Sequence, residues 1–288
     1  MSTSDAESGG DPARLMARGA AVRLPPMPTT TKAPKKKPAK APRARMTFAE
    51  AMRELEKAGS AQTRKTYGRH GVQSPMFGVS FATLKEMKKR IGVDHELAEA
   101  LWKTGNFDAQ NLAVKIVDPA RMSPADLDRW VREGCAARIC GGYSAMLASE
   151  GPHGEAKASQ WLSSKNERER EAGWVLLGQL SQRDETLADA YFEKRIAEIE
   201  RTLHSAPNLE RYAMNMALIM IGCRNASLRK AATAAAKRIG KVEIDYGDTA
   251  CQTADAQEYI AKTWARSTPK FATPAAAERA RDVPRLRC

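Results

Sequence analysis

A chain of 288 residues with 42% hydrophobic and only 6% aromatic content can bury a sizeable core, in one large domain or two ordinary ones. Lys and Arg outnumber Asp and Glu by 47 to 34, a formal net charge of +13, which favours a polyanionic partner. The longest apolar run, Met214 to Ile221, is broken by Asn215 and is far short of the roughly 20 residues of a membrane span. The first 30 residues carry Asp5, Glu7 and Asp11 and no contiguous apolar core, so a leader peptide is not expected and a cytoplasmic location is.

Residues 1–45 hold ten Lys and Arg against three acids. Lys35, Lys36 and Lys37 alternate with Pro34, Pro38 and Pro42. Proline at that density prevents helix and the lack of apolar residues prevents a core, so this segment is expected to be a disordered basic tail. Such a polycation binds phosphate backbones by counterion release, or serves only as a solubilising linker.

From residue 46 the composition is that of helices. Thr47 with Glu50 three residues on is a capping box opening a helix through Leu55. A basic arm with Arg64, Lys65, Arg69 and His70 follows. Ser80 then precedes Leu84, Met87 and Ile91 at helical spacing, with Lys85, Lys88, Lys89 and Arg90 between them and Gly92 as the stop. Further helices fit Leu97–Trp102, Asp108–Ile116, Leu127–Glu133 behind Ser123-Pro124, Arg138–Ala148, Glu155–Leu162, Glu167–Leu180, Glu185–Ile199, Leu209–Gly222 and Ser227–Ile239. A rough repeat of 35 to 45 residues with short breaks implies stacked helical hairpins, an all-α solenoid of the HEAT class. Residues 241–260 read as a capping segment over the last helices, and residues 267–288, with Pro269, Pro274, Pro284 and many arginines, as a second flexible basic tail. The body is then 46–266.

Five cysteines (Cys135, Cys140, Cys223, Cys251, Cys288) contain no C-x-x-C pair, and His70, His95, His153 and His204 lack ligand spacing. Asp245, Asp248, Cys251 and Asp255 are a poorly matched donor set. Neither a metal nor a cofactor is expected. Trp102, Trp130, Trp161, Trp174 and Trp264 sit in apolar periodicity and read as core, with Trp174 kept open as a groove aromatic because it lies four residues beyond Arg170.

The stretch from Tyr67 to Leu112 carries a Phe77-Gly78-Val79 turn, the basic helix after Leu84, the pair Leu101-Trp102 and the run Asn111-Leu112-Ala113. In that order it resembles the opening of the DNA alkylation repair family, the AlkD-like alkylpurine DNA glycosylases built from HEAT-like helical pairs, and the resemblance continues to about Ile260. It implies a concave basic groove that takes double-stranded DNA, including damaged or distorted duplexes. It also implies a carboxylate, two tryptophans and an arginine that stabilise the sugar's developing oxocarbenium charge. Carried over position by position, the first tryptophan falls on Ala137 and the catalytic aspartate on Gly141, in a Trp-x-x-Cys-Asp setting of which only Cys140 fits. The arginine matches Arg170, with Arg168 as the alternative, and the second tryptophan falls on Met216 in RYAMNM. Gly141-Gly142 offers close helix packing or a bare floor for a nucleic-acid backbone.

The expected function is therefore DNA binding with weak or absent glycosylase activity. One alternative is an active alkylpurine glycosylase with a rearranged groove: Glu133, eight residues before Gly141, is about two helical turns away and too far to substitute, and Asp108 and Glu171 lie near matched positions without being placed at the missing site. Another is a helical-repeat scaffold for an acidic protein partner. Phosphate contacts are expected from Arg64, Lys65, Arg69, His70, Lys85, Lys88, Lys89, Arg90, Arg170 and the lysines of the tail. A monomer with no membrane partner, nucleoid-associated in a bacterium, completes the reading.

Overall fold

The computed structural model describes residues 45–134 and 138–287, so Lys35, Lys36, Lys37, Cys135, Ala137 and Cys288 lie outside the described residues. All regular secondary structure among the described residues is helical. In order the elements are α1 (Phe48–Ala58), α2 (Ala61–Arg69), α3 (Phe81–Ile91), α4 (His95–Trp102), α5 (Phe107–Ile116), α6 (Pro124–Glu133), α7 (Arg138–Leu147), α8 (Gly154–Leu162), α9 (Glu167–Arg183), α10 (Asp189–Thr202), α11 (Asn208–Gly222), α12 (Ala226–Ile239), α13 (Ala256–Ser267), α14 (Pro274–Arg279) and α15 (Pro284–Arg287), with short 3-10 turns at Pro119–Arg121 and Leu203–Ser205. No described helix is long and apolar enough to cross a membrane.

Capping chemistry sets most helix starts. The Thr47–Glu50 box and the Ser123–Asp126 box close reciprocally, and Pro124 occupies the first turn of α6 where its missing N–H costs nothing. Ser80, Asp94, Asn106, Asn166, Asn225 and Asp255 each accept a backbone N–H one turn into the helix they open.

From α4 onward the helices pair antiparallel-hairpin fashion as α4/α5, α6/α7, α8/α9, α10/α11 and α12/α13, and the second members α5, α7, α9, α11 and α13 pack side by side as one layer. Gly178 of α9 faces Ala217 and Met220 of α11, where an added Cβ would stand 2.9 Å from Met220 Sδ and turn that side chain aside. One core gathers α1 and α3 to α9, a second gathers α8 to α13, and a small third joins Tyr67 of α2 to Val72 and Phe107. All five tryptophans are buried. Trp102 and Trp130 stack with centroids 4.0 Å apart and planes 3° from parallel, and their indole N–H groups donate to Glu133 and Glu99 at 3.0 and 3.2 Å.

Four expectations need correction. The basic arm at Arg64 to His70 is largely helix, α2, opened by Ser60; only Tyr67 of it is buried, so it shows no apolar period. The helix expected from Glu185 begins at Asp189, because the Asp184 carboxylate accepts from the N–H and hydroxyl of Thr186 and holds that stretch in a turn. Residues 241–255 are irregular, as a capping segment would be, but α13 follows directly. Finally, the flexible tail expected at 267–288 is instead folded against the layer as α14 and α15, whose prolines begin helices rather than break them.

Candidate nucleic-acid interface

The Phe77-Gly78-Val79 turn organises the N-terminal basic surface. Asp108, in the first turn of α5 and with no exposure, accepts the backbone N–H groups of Phe77, Gly78 and Val79 at 2.6, 2.9 and 2.9 Å. Arg64 Nη1 donates to the Phe77 carbonyl at 2.9 Å and the Tyr67 hydroxyl to the Val79 carbonyl at 2.7 Å. Gly78 has φ of +81°, and a Cβ there would meet the Ser60 carbonyl oxygen at 2.5 Å, so the position needs glycine. Three partners from α2 and α5 thus fix where α2 ends and α3 begins. Asp108 is fully engaged in this task and is not available as a substitute catalytic carboxylate.

On either side of that turn stand the basic residues expected to meet phosphate. Lys65, Arg69, Lys85, Lys89 and Arg90 are exposed, and Lys88 and His70 are half-buried. Lys89 pairs with Glu86 at 2.6 Å and Arg90 with Glu54. Lys65, Arg69, Lys85 and Lys88 form no ion pair with a described residue, which leaves them as the freest cations of this surface.

The second region is a cavity of about 540 Å³ on the α7–α9–α11–α13 layer. Glu171 of α9 and Met216 of α11 line it with Gly142, Tyr143, Tyr212 and Tyr259. Of the four positions carried over from the glycosylases, Met216 borders this cavity directly and Gly141 is the chain neighbour of a lining residue. Burial pushes the Glu171 carboxyl up to about 7; Arg168 pulls it back, while Glu167 and Glu210 push it further. At neutral pH it is therefore divided between acid and carboxylate. At Met216 a soft, polarizable thioether stands where the family places an indole, so the aromatic faces of this cavity come from Tyr143, Tyr212 and Tyr259 instead.

Arg170 does not line the cavity. Its Nε donates to Glu210 at 3.0 Å and its Nη1 to the carbonyls of Ser164 and Lys165 at 3.2 and 2.9 Å, tying α9 to α11. Trp174 is 2% exposed and its indole N–H points to the same Glu210 at 3.4 Å, so it contributes a wall and no open face. The alternative arginine, Arg168, donates to the carbonyls of Arg132 and Gly134.

The polar face of α11 holds the segment before α13. Asn208 exchanges two bonds of 2.8 Å with the backbone of Asp245, Arg211 donates to the Glu243 carbonyl at 2.9 Å, and Asn215 donates to the Ala254 carbonyl at 3.0 Å. The 3- and 4-residue spacing of Asn208, Arg211 and Asn215 on α11 is the signal in the sequence for a segment of chain packed along that helix.

A family model described as DNA alkylation repair enzyme matches residues 51–271. The chain is 28% identical over 224 residues to an uncharacterized protein of Listeria innocua and 27% identical over the same length to one of Listeria monocytogenes, each covering 75% of this chain and 97% of the relative. Among solved structures, it is similar to one described as a new family of proteins related to the HEAT-like repeat DNA glycosylases with affinity for branched DNA structures. The identity there is 31% with a TM-score of 0.70, over 77% of this chain and 95% of the other.

Proposed function

The chain belongs to the DNA alkylation repair enzyme family, and from that premise we propose that it is a DNA-binding member that holds duplexes through phosphate contacts with weak or absent base excision. The observation that carries the reading is the cavity bordered by Met216 and Gly142, with a carboxyl poised near neutrality in place of a firmly ionised one. Excision of a cationic alkylpurine needs negative charge and aromatic faces at the sugar, and loss of one such electrostatic group costs about 10² to 10³ in rate. The free cations around the Phe77-Gly78-Val79 turn supply the binding without base readout. The affinity for branched DNA described for the related structure supports extending the reading to distorted or branched duplexes.

A second reading is favoured by one position: Glu171 borders the same cavity and is the carboxylate that could serve a rearranged groove, since the other lining carboxylate, Glu278, is paired with Arg287. The assay that separates the two quantifies free N3- and N7-alkylpurine from methylated duplex under single-turnover conditions. The expected result is release no faster than the spontaneous rate. Release well above it that is lost in Glu171→Gln would establish the rearranged enzyme and overturn the inactive reading.

A further inference from the structure

Residues 268–287 cross the α5–α7–α9–α11–α13 layer as a strap: α14 packs on α9 and α13, and α15 packs on α5. The anchor is Arg285, whose side chain is 5% exposed. Its Nε and Nη2 donate to the Glu150 carboxylate at 2.8 and 2.7 Å, and its Nη1 donates to the Val114 carbonyl at 2.6 Å. Lys115 of α5 returns a bond from its Nζ to the Arg285 carbonyl at 2.8 Å. At the other end the Ala275 N–H donates to the Cys223 carbonyl at 3.1 Å, and Arg279 reaches the Gln182 carbonyl at 3.0 Å and Glu185 at 2.8 Å.

A helix that lines an open groove keeps one face in water. Here all ten residues of α5 are buried, including Lys115 at 3% exposure, and α9 is buried almost continuously from Ala172 to Gln182. The strap also supplies part of the wall of the Glu171 cavity, through Pro274, Arg281 and Arg287 among others. Its own apolar contribution is small, since Pro274 and Ala275 are its only fully buried apolar residues among those described. Attachment therefore rests mainly on charged hydrogen bonds, which a polyanion can take over. With five Lys and Arg against two acids between residues 268 and 287, the strap is itself of the charge that phosphates attract.

We propose that this strap is an autoinhibitory element, latched by Arg285 on Glu150, that occupies the layer in competition with DNA and detaches when a duplex binds. The proposal rests on the DNA-binding reading. While the strap is seated, apparent affinity is reduced by the fraction of molecules in which the layer is open, and phosphates that engage the released arginines draw the equilibrium toward opening.

The test is hydrogen exchange of the full chain across residues 274–287, with and without a short duplex, paired with duplex affinity for the unaltered protein and for Glu150→Gln. The expected result is that the duplex raises exchange in the strap, that Glu150→Gln raises it without DNA, and that this variant binds at least about tenfold tighter, a step of 1.4 kcal/mol. Should Glu150→Gln fail to fold, Arg285→Gln breaks the same latch, and the bond to Val114 with it, from the strap side and keeps the sequence of the body. Strap protection that DNA leaves unaltered or increases, or equal affinities when the variant's strap is loose, would overturn the proposal. No binding by any of these chains would overturn the DNA-binding reading first and the competition with it, whereas loosening by Glu150→Gln would still be seen in the exchange data.

Discussion

Asp108→Ala is expected to remove at least about 3 kcal/mol of unfolding free energy, because two buried N–H groups and one half-buried one lose a charged acceptor at once and each such loss costs about 1 to 3 kcal/mol. Phe77, Gly78 and Val79 are those donors, and the turn they form has no other acceptor of comparable geometry. Domains of this size are stable by only about 5 to 15 kcal/mol, so the variant should lie near the edge of folding. Asp108→Asn keeps one carbonyl oxygen and should fall between the two. Denaturant titration followed by far-ultraviolet circular dichroism measures both, and an alanine variant within about 1 kcal/mol of the unaltered protein would show that the turn is held by other means. Because Arg64 and Tyr67 fasten to the same turn, the basic surface should loosen with it.

Glu171→Gln should have the opposite sign. Burial raises this carboxyl from an ordinary 4.5 to about 7, so the folded protein holds the proton more tightly than the unfolded chain does. Its contribution is most favourable below about pH 4.5, declines as pH rises, and levels off above about 7. A shift of that size corresponds to about 3 kcal/mol. The glutamine variant cannot ionise; it should lack this part of the pH slope and be more stable at pH 8 by up to about 3 kcal/mol, with little difference at pH 5. Denaturation midpoints at the two pH values read the effect directly. If the difference between pH 5 and pH 8 is the same in both proteins, the Glu171 carboxyl is solvated and burial does not hold its proton.

How far the sequence carried depended on how local each determinant is. The starts of α1, α3 and α6 were legible because Thr47, Ser80 and Ser123 cap residues only three positions away. Helix α2 was not, since its one buried side chain, Tyr67, makes no periodic pattern. The strap was illegible for a different reason. Arg285 is fixed by a carboxylate 135 residues earlier, and nothing near Pro274 or Pro284 distinguishes a docked helix start from a solvated tail. Site residues divide in the same way. Met216 and Glu171 were singled out from the sequence and the fold brings both to one cavity, while the tie of Arg170 to Glu210 spans 40 residues and has no local signature. Asp108 could be read as a spare carboxylate only while its three backbone donors, 29 to 31 residues away, were unknown.

The most direct test of the central claim is the salt dependence of equilibrium binding between the full chain and a duplex of arbitrary sequence, followed from about 50 to 200 mM salt. Binding through phosphates gives a linear fall of log Kobs with log salt, with a slope of about −0.9 for each phosphate neutralised and the same line for unrelated sequences. A flat response, or no binding at about 50 mM salt, would contradict it.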